Sequence, residues 1–358
     1  MTGMASITTA STPPEGATRP VALWLFVMCA LVALMVTIGG ATRLTESGLS
    51  ITEWRPVTGV VPPLNAADWQ AEFEKYKTIP QYAALNSGMT LAGFKQIYWW
   101  EWSHRLLGRA IGFAFLLPLI FFAATGRIRR QLAGRLVIIF LLGGAQGLLG
   151  WYMVKSGLSD RIEVSQYRLA AHLALAVLLY AAMFWIALDL MRPVETARPR
   201  PLFWGAAALA IGVYLQMILG AFVAGLRAGR SFNTWPLMDG RFVPPGYLHG
   251  PPGLRNFFEN IAAVQFDHRI GAYLVAAGAT WYFLAARGTA IAARARLVLI
   301  AVALQIGLGV WTLLAVTPVA LGLLHQLGAL AVLSAALYAA HGCWGGGMLI
   351  GKPVSSSS

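Results

Sequence analysis

The residues of this chain most able to do chemistry are six histidines, one glutamate and the arginines beside them. They are densest in Glu101-Trp102-Ser103-His104-Arg105, with Arg109 a helical turn further on. A partial copy stands at Gln265-Phe266-Asp267-His268-Arg269. His172 and His325 follow in later apolar runs, while His249 and His341 have no counterpart. An imidazole can ligate a metal, carry a proton or simply hydrogen-bond, and its surroundings decide which.

Those surroundings are apolar. The chain has 358 residues, 58% hydrophobic and only 11% charged, against about 25% charged in soluble domains. With a mean hydropathy of +0.64 it reads as a polytopic membrane protein. Its net charge of +13 and pI near 10.2 raise the question of nucleic acid. The arginines, however, sit in short gaps between apolar runs, which is the pattern of membrane topology, and no nucleic-acid partner is expected. Cys29 and Cys343 lie far apart, within or beside apolar runs, which argues against a disulfide framework or a cysteine-ligated metal.

A bilayer core takes about 20 residues of helix. Eight runs qualify: about 21–41, 100–125, 134–155, 167–191, 202–225, 264–286, 295–316 and 320–342. The gaps holding Arg127, Arg129, Arg130 and Arg135, then Arg192, Arg198 and Arg200, then Arg287, Arg294 and Arg296 read as cytoplasmic. Both termini then lie inside, and the long loops 42–99 and 226–263 lie outside. The Ser-, Thr-, Pro- and Gly-rich stretch 1–20 reads as a disordered cytoplasmic tail. The run behind it is not read as a cleaved signal, because it has span length and its partner in the second half is internal.

The halves repeat. Gly48-Leu49-Ser50, Trp54 and Gly59 match Gly229-Arg230-Ser231, Trp235 and Gly240 at one constant offset, and each block runs into a double proline, Pro62-Pro63 or Pro244-Pro245. His104-Arg105 matches His268-Arg269, and His172 falls opposite His325. Gln146-Gly147 and Gly150 match Gln305-Ile306-Gly307 and Gly309 imperfectly. Four helices per half give both copies the same orientation. The expected fold is therefore all-α, with eight transmembrane helices as a parallel tandem repeat of two four-helix bundles. The N-terminal half would span 21–191, a cytoplasmic linker 192–201, the C-terminal half 202–342 and a cytoplasmic tail 343–358.

The four paired histidines fall on the even-numbered helices, each within one to two turns of the outer face. An intramembrane imidazole needs a partner. An interhelical hydrogen bond would supply one, but four at matching depth, two per half, favour metal ligands. Zinc is the weaker candidate without an accompanying cysteine or carboxylate set. Two imidazoles facing across a bundle suit the axial positions of haem iron. Gly108 and Gly112 after His104, Gly271 and Ala272 after His268, and Gly328 and Ala329 after His325 offer room for a macrocycle, or equally for close helix packing.

The arginines also have two readings. Arg105, Arg109 and Arg269 either snorkel to headgroups or pair with haem propionates. Arg168 stands four residues before His172 in the same setting, without an echo. Trp99, Trp100 and Trp102 read first as an aromatic belt and second as walls for a flat macrocycle. The repeat breaks at Glu101, whose counterpart is Gln265. Either Glu101 is an interfacial carboxylate without chemistry, or it marks the half that holds a reacting centre. Gln265 keeps the shape and the hydrogen bonding but cannot take a proton.

Glu-Trp-Ser-His-Arg opening the second span, four histidines on even helices, and the stretch from Thr42-Arg43-Leu44-Thr45-Glu46-Ser47-Gly48 through Trp54 with Pro56, Gly59 and Pro62-Pro63 together resemble the haem A synthase family. The likeness covers nearly all the chain from about Val21 to His341. It implies an oxidoreductase that converts the C8 methyl of haem O to a formyl group, giving haem A for terminal oxidases. It implies that His268 and His325 hold a resident haem b, and that His104 and His172 hold substrate haem O or product haem A. Glu101 would be the catalytic residue beside the reacting methyl, with Arg105 and Arg269 among the haem-binding residues.

The same resemblance implies a bacterial inner-membrane protein in lipid, with its haem sites toward the periplasmic side. It also implies a working relationship with haem O synthase and an external electron acceptor, and it leaves room for a homo-oligomer. Neither outer loop holds a cysteine pair, so the chain looks like the cysteine-free subgroup typical of proteobacteria and mitochondria. Two other functions stay open. A di-haem b-type cytochrome that only transfers electrons predicts equivalent halves. A haem-free transporter is permitted by a parallel repeat, but no broken helix pair at the midplane argues for it.

Overall fold

In lipid every backbone N–H and C=O must be satisfied within the chain, and an apolar run does this by forming a helix. The computed structural model describes residues 18–158, 161–191 and 201–344. It contains α1 (Arg19–Leu44), α2 (Ala66–Lys77), α3 (Pro80–Leu85), α4 (Leu91–Ala124), α5 (Arg130–Leu158), α6 (Gln166–Leu190), α7 (Pro201–Gly225), α8 (Asn256–Glu259), α9 (Ile261–Ala285), α10 (Ala292–Leu314) and α11 (Val319–Cys343). Among the described residues, seven helices are long and apolar enough to cross a membrane: α1, α4, α5, α6, α7, α10 and α11. Helix α9 has the length, but Asp267, His268 and Arg269 make it less apolar.

Each expected span coincides with a helix, and the boundaries differ where capping or outer packing extends it. Helix α4 starts at Leu91 rather than near 100 because Thr90 caps it, accepting from the Gly93 N–H at 3.2 Å. Helix α1 begins at Arg19, inside the stretch read as a tail. The rest of that tail, most of the linker 192–201 and most of the tail 343–358 lie outside the described residues.

Helix α1 packs on α4 and α6, and α5 joins α4 to α6; likewise α7 packs on α9 and α11, and α10 joins α9 to α11. The two sets meet where α6 touches α7 and α11, and where α1 touches α11. One core runs through both, including Leu25, Met28, Leu136, Val177, Tyr282 and Leu333. Phe113, Leu117 and Leu141 stay exposed on α4 and α5, as a lipid-facing surface requires. At one end of the helices, His341 Nε2 lies 2.9 Å from Asp189 Oδ1, tying α11 to α6.

The loop 42–99 carries more structure than its sequence announces. Asn65 caps α2, accepting from the Asp68 N–H at 2.9 Å, and Pro80 opens α3. Helix α2 folds against the first turns of α4 around Leu49, Trp69, Phe73, Tyr76, Phe94 and Tyr98, and α3 packs on α2 and α5. Each fully buried side chain of that size contributes about 1.5–3 kcal/mol. The Trp99 ring lies 5.6 Å from Trp69, so this tryptophan helps to hold α2 on α4.

Burial pushes the Tyr76 phenol above its ordinary value, against the smaller opposing effect of the hydrogen bond from Asn86. Its folded value is raised, so its contribution to stability is fully present below pH ~10. That contribution is lost as pH rises through the higher folded value. Protease cleavage between α2 and α4 is accordingly expected to appear only in that alkaline window. Cleavage of equal rate at neutral pH would contradict it.

An ion cluster fastens this outer layer to the second set of helices. Arg43 reaches Glu163 at 2.7 Å, and Arg227 bridges Glu163 at 2.5 Å and Glu46 at 2.9 Å. A cleft of about 430 Å³ lies beside it, lined by Arg161, Glu163, Gln166 and Arg227, and none of the four paired histidines borders it.

Candidate functional site

His172, His268 and His325 sit about two turns into α6, α9 and α11. His104 sits further along α4, because that helix begins in the outer layer. Each ring lies against a glycine of the preceding long helix: Gly39 for His104, Gly150 for His172, Gly220 for His268 and Gly309 for His325. A Cβ at these positions would come within 3.1, 3.0, 3.2 and 2.7 Å of the respective rings. Gly309→Ala is therefore expected to cost about 1–3 kcal/mol by overpacking. Gly147→Ala, with nothing within 4 Å of the new methyl, is the control. Thermal unfolding in detergent compares them, and equal midpoints would refute the tight packing.

The second-half histidines face each other. Their ring centroids are 6.5 Å apart, with planes at 79°. With metal–nitrogen bonds of about 2.0 Å and a nitrogen-to-centroid distance of about 1.1 Å, two imidazoles on opposite sides of one metal would be roughly 6.2 Å apart. The separation therefore suits two imidazoles that would hold one iron between them. In the first half, His172 is an electrostatic neighbour of His104, and its Nδ1 is buried without a partner. Among the described residues no cluster of three or more His, Cys, Asp or Glu could cage a bare metal ion.

The arginines beside these histidines hold the outer loops. Arg105 donates to the carbonyls of Ile51 at 2.7 Å and Glu53 at 2.9 Å, and to Glu101 Oε1 at 2.5 Å. Arg269 makes the corresponding set: the carbonyls of Phe232 at 2.7 Å and Thr234 at 2.9 Å, and Gln265 Oε1 at 3.1 Å. Arg109 donates to the carbonyls of Arg55 and Pro56, and Arg168 to that of Tyr152 at 2.6 Å. Two donors remain buried without a partner, Arg269 Nε and Arg109 Nη1.

Glu101 and Gln265 are each 3% exposed, and their loops present opposite polarity to them. Glu101 Oε2 accepts from Ser50 Oγ at 2.8 Å and from the Ile51 N–H at 2.7 Å. Gln265 Nε2 donates to the carbonyls of Ala228 at 2.7 Å and Ser231 at 2.5 Å. Each loop is thus built for its own residue. The Glu101 carboxyl group is buried and held by a guanidinium and two further donors, an arrangement that fixes its direction.

Three parts of this arrangement escaped the sequence reading. Gln216 was not singled out at all, and its role emerges only from its contact with His268. The space beside Gly271 and Gly328, expected for a macrocycle, is taken by the amides of Gln216 and Gln305. The loop-holding role of the arginines is equally hidden, because the loop carbonyl lies 54 residues before Arg105 but 37 before Arg269.

Over residues 22–337 the chain matches the family described as cytochrome oxidase assembly protein. It is similar to the protein named "Heme A synthase" of Parvibaculum lavamentivorans, 53% identical over 321 residues that cover 90% of this chain and 93% of the other. Proteins of the same name from Nitrosospira multiformis, 50% identical over 90% of this chain and 93% of its own, and Azorhizobium caulinodans, 54% identical over 89% and 93%, are similar to the same degree.

Proposed function

Because the chain belongs to the cytochrome oxidase assembly protein family, as a member similar to haem A synthases over nearly its whole length, we propose that it is a haem A synthase. It is an oxidoreductase of the bacterial inner membrane that converts haem O to haem A by oxidising the C8 methyl to a formyl group. In this reading the long helices form two four-helix bundles in tandem: α1, α4, α5 and α6, then α7, α9, α10 and α11. The domain limits are those read from the sequence, 21–191 and 202–342, with a cytoplasmic linker and tails. The arginine-rich gaps lie inside, and the histidine sites lie toward the periplasm.

His268 and His325 would hold the resident haem b, whose chemistry when bound is one-electron relay between the reacting centre and an external acceptor. His104 and His172 would hold the substrate haem O and the product haem A. The chain's own residues do the positioning. Arg105 and Arg269 close the outer ends of the two sites, and Arg269 Nε and Arg109 Nη1 are donors free for haem carboxylates. Glu101 fixes the loop at Ser50 and Ile51 over the first site and would place a carboxyl group beside the proposed methyl, where protons leave during oxidation. Lipid surrounds the chain, haem O synthase supplies the substrate, and a homo-oligomer is compatible with the exposed apolar faces.

The observation that carries this reading is the pair of sites alike in histidine–glycine packing but unlike at Glu101 and Gln265. A di-haem b-type cytochrome would need no such difference. Purified protein supplied with haem O and an electron acceptor is expected to yield haem A on pigment extraction. Extraction of haem b alone would favour the cytochrome, and extraction of no haem would end the haem reading.

A further inference from the structure

Three glutamines face the histidine sites from neighbouring helices, and the reaction as proposed leaves them without a role. Gln216 Nε2 lies 2.7 Å from the backbone carbonyl of His268 and 3.0 Å from its ring Nδ1. Gln305 Nε2 stands to His325 in the same way, at 2.7 and 3.1 Å. Both amides fit only because the residue three after each histidine is glycine: a Cβ on Gly271 would overlap Gln216 Oε1, and one on Gly328 would overlap Gln305 Oε1. A Gln-x-x-x-Gly on one helix thus receives a His-x-x-Gly on the next. Turning either amide over would offer Oε1 to Nδ1 at the loss of the carbonyl bond. A neutral ring that accepts at Nδ1 carries its proton on Nε2, so the turned amide, accepting from Nδ1–H, is the orientation that leaves the Nε2 lone pair for a ligand.

The first half has this device in part or not at all. Gln146 Nε2 bonds the His172 carbonyl at 2.8 Å, Leu175 stands where the glycine would be, and His172 Nδ1 has no partner. At His104 the position four before Gly39 is Met35, and the position three after His104 is Leu107.

We propose that Gln216 and Gln305 are positioning residues that lock His268 and His325 for a permanently held haem, and that the missing lock at His104 keeps the first site exchangeable. The inference rests on the proposed assignment of the four histidines as haem ligands. An imidazole held at its Nδ1 by an amide wedged against glycine has little ring rotation left to lose on ligation, so the ordering cost is met at folding. Partners of this kind raise affinity at metal sites by about 10–100-fold. His104 meets that cost at every binding event, which favours release, and a site that must discharge its product at each turnover needs release.

The test is haem loss from the purified holoprotein into excess apomyoglobin. Gln216→Leu and Gln305→Leu are expected to lose haem b about 10–100-fold faster. Their low-spin electron paramagnetic resonance signal should also shift, because that signal reports the angle between the imidazole planes. Gln216→Asn, too short to reach the ring, should show the same acceleration and serves if the leucine variants fail to assemble. Met35→Gln combined with Leu107→Gly should slow haem O loss from the first site and leave the haem b rate unchanged.

Unchanged haem b loss with an unchanged spectrum in the glutamine variants overturns the lock. Unchanged haem O loss in the Met35 variant overturns its second part. His268→Ala and His325→Ala separate the two levels of the argument. If they leave haem b in place, the ligand assignment fails. If they strip it while the glutamine variants lose it at the normal rate, the lock alone fails.

Discussion

Glu101→Gln is expected to lower haem O conversion by about 10²–10⁴-fold, the usual contribution of a positioned proton-handling group, while haem b content stays at the wild-type level. The carboxylate is buried, receives Arg105 on one oxygen and is met by Ser50 and the Ile51 N–H on the other. A glutamine there has one acceptor oxygen for three donor groups, so either Arg105 or the loop must face an NH₂. The loss of charge-assisted bonds costs about 1.5–3 kcal/mol and frees the loop over the first site. Gln265 meets no such conflict, because its loop offers carbonyls to its NH₂. The second site should therefore keep its haem.

Two companion variants divide charge from anchoring. Ser50→Ala removes one of the three donors and leaves the carboxyl group, so conversion should fall by less than in Glu101→Gln, by about tenfold. Glu101→Asp keeps the charge on a shorter stem and should retain more activity than Glu101→Gln. Conversion by Glu101→Gln at the wild-type rate would remove the carboxylate from the reaction. Loss of haem b in that variant would show that Glu101 supports the fold of both halves.

The parts of this protein legible in its sequence are those set by a repeating local rule. Apolar length and arginine placement mark the helices, since lipid leaves no other outlet for the backbone. The His-Arg pairs and the glutamate that breaks the repeat are visible as residue identity alone. What stays hidden depends on which helix stands beside which. Gln216 is one polar residue in an apolar run until α7 packs on α9 and brings its amide to His268. Gly271 and Gly328 show only that something fills the space beside them, not what fills it. The outer layer is hidden for another reason: α2 and α3 are short and polar in sequence, and their aromatic core closes only when α4 extends upward to Leu91 to meet them. Arg105 was read by depth, whereas its bonds are set by a loop more than fifty residues earlier.

His268→Ala and His325→Ala are each expected to reduce purified haem b content to a small fraction of wild type and to abolish conversion, while His104→Ala keeps haem b and loses haem O binding. The 6.5 Å centroid separation of His268 and His325 leaves space for one metal between the rings. Loss of either imidazole leaves an iron with one protein ligand. It also leaves the Gln216 or Gln305 amide without its ring partner in a buried setting, at about 1–3 kcal/mol. Each alanine further opens a void against Gly220 or Gly309, whose lack of a side chain suits only a ring. These costs act together at one site and do not reach α4, which touches neither α9 nor α11 among the main helix contacts. Haem b measured by pyridine haemochromogen in the three variants decides the assignment: if His104→Ala is the one that empties it, the roles of the two halves are exchanged.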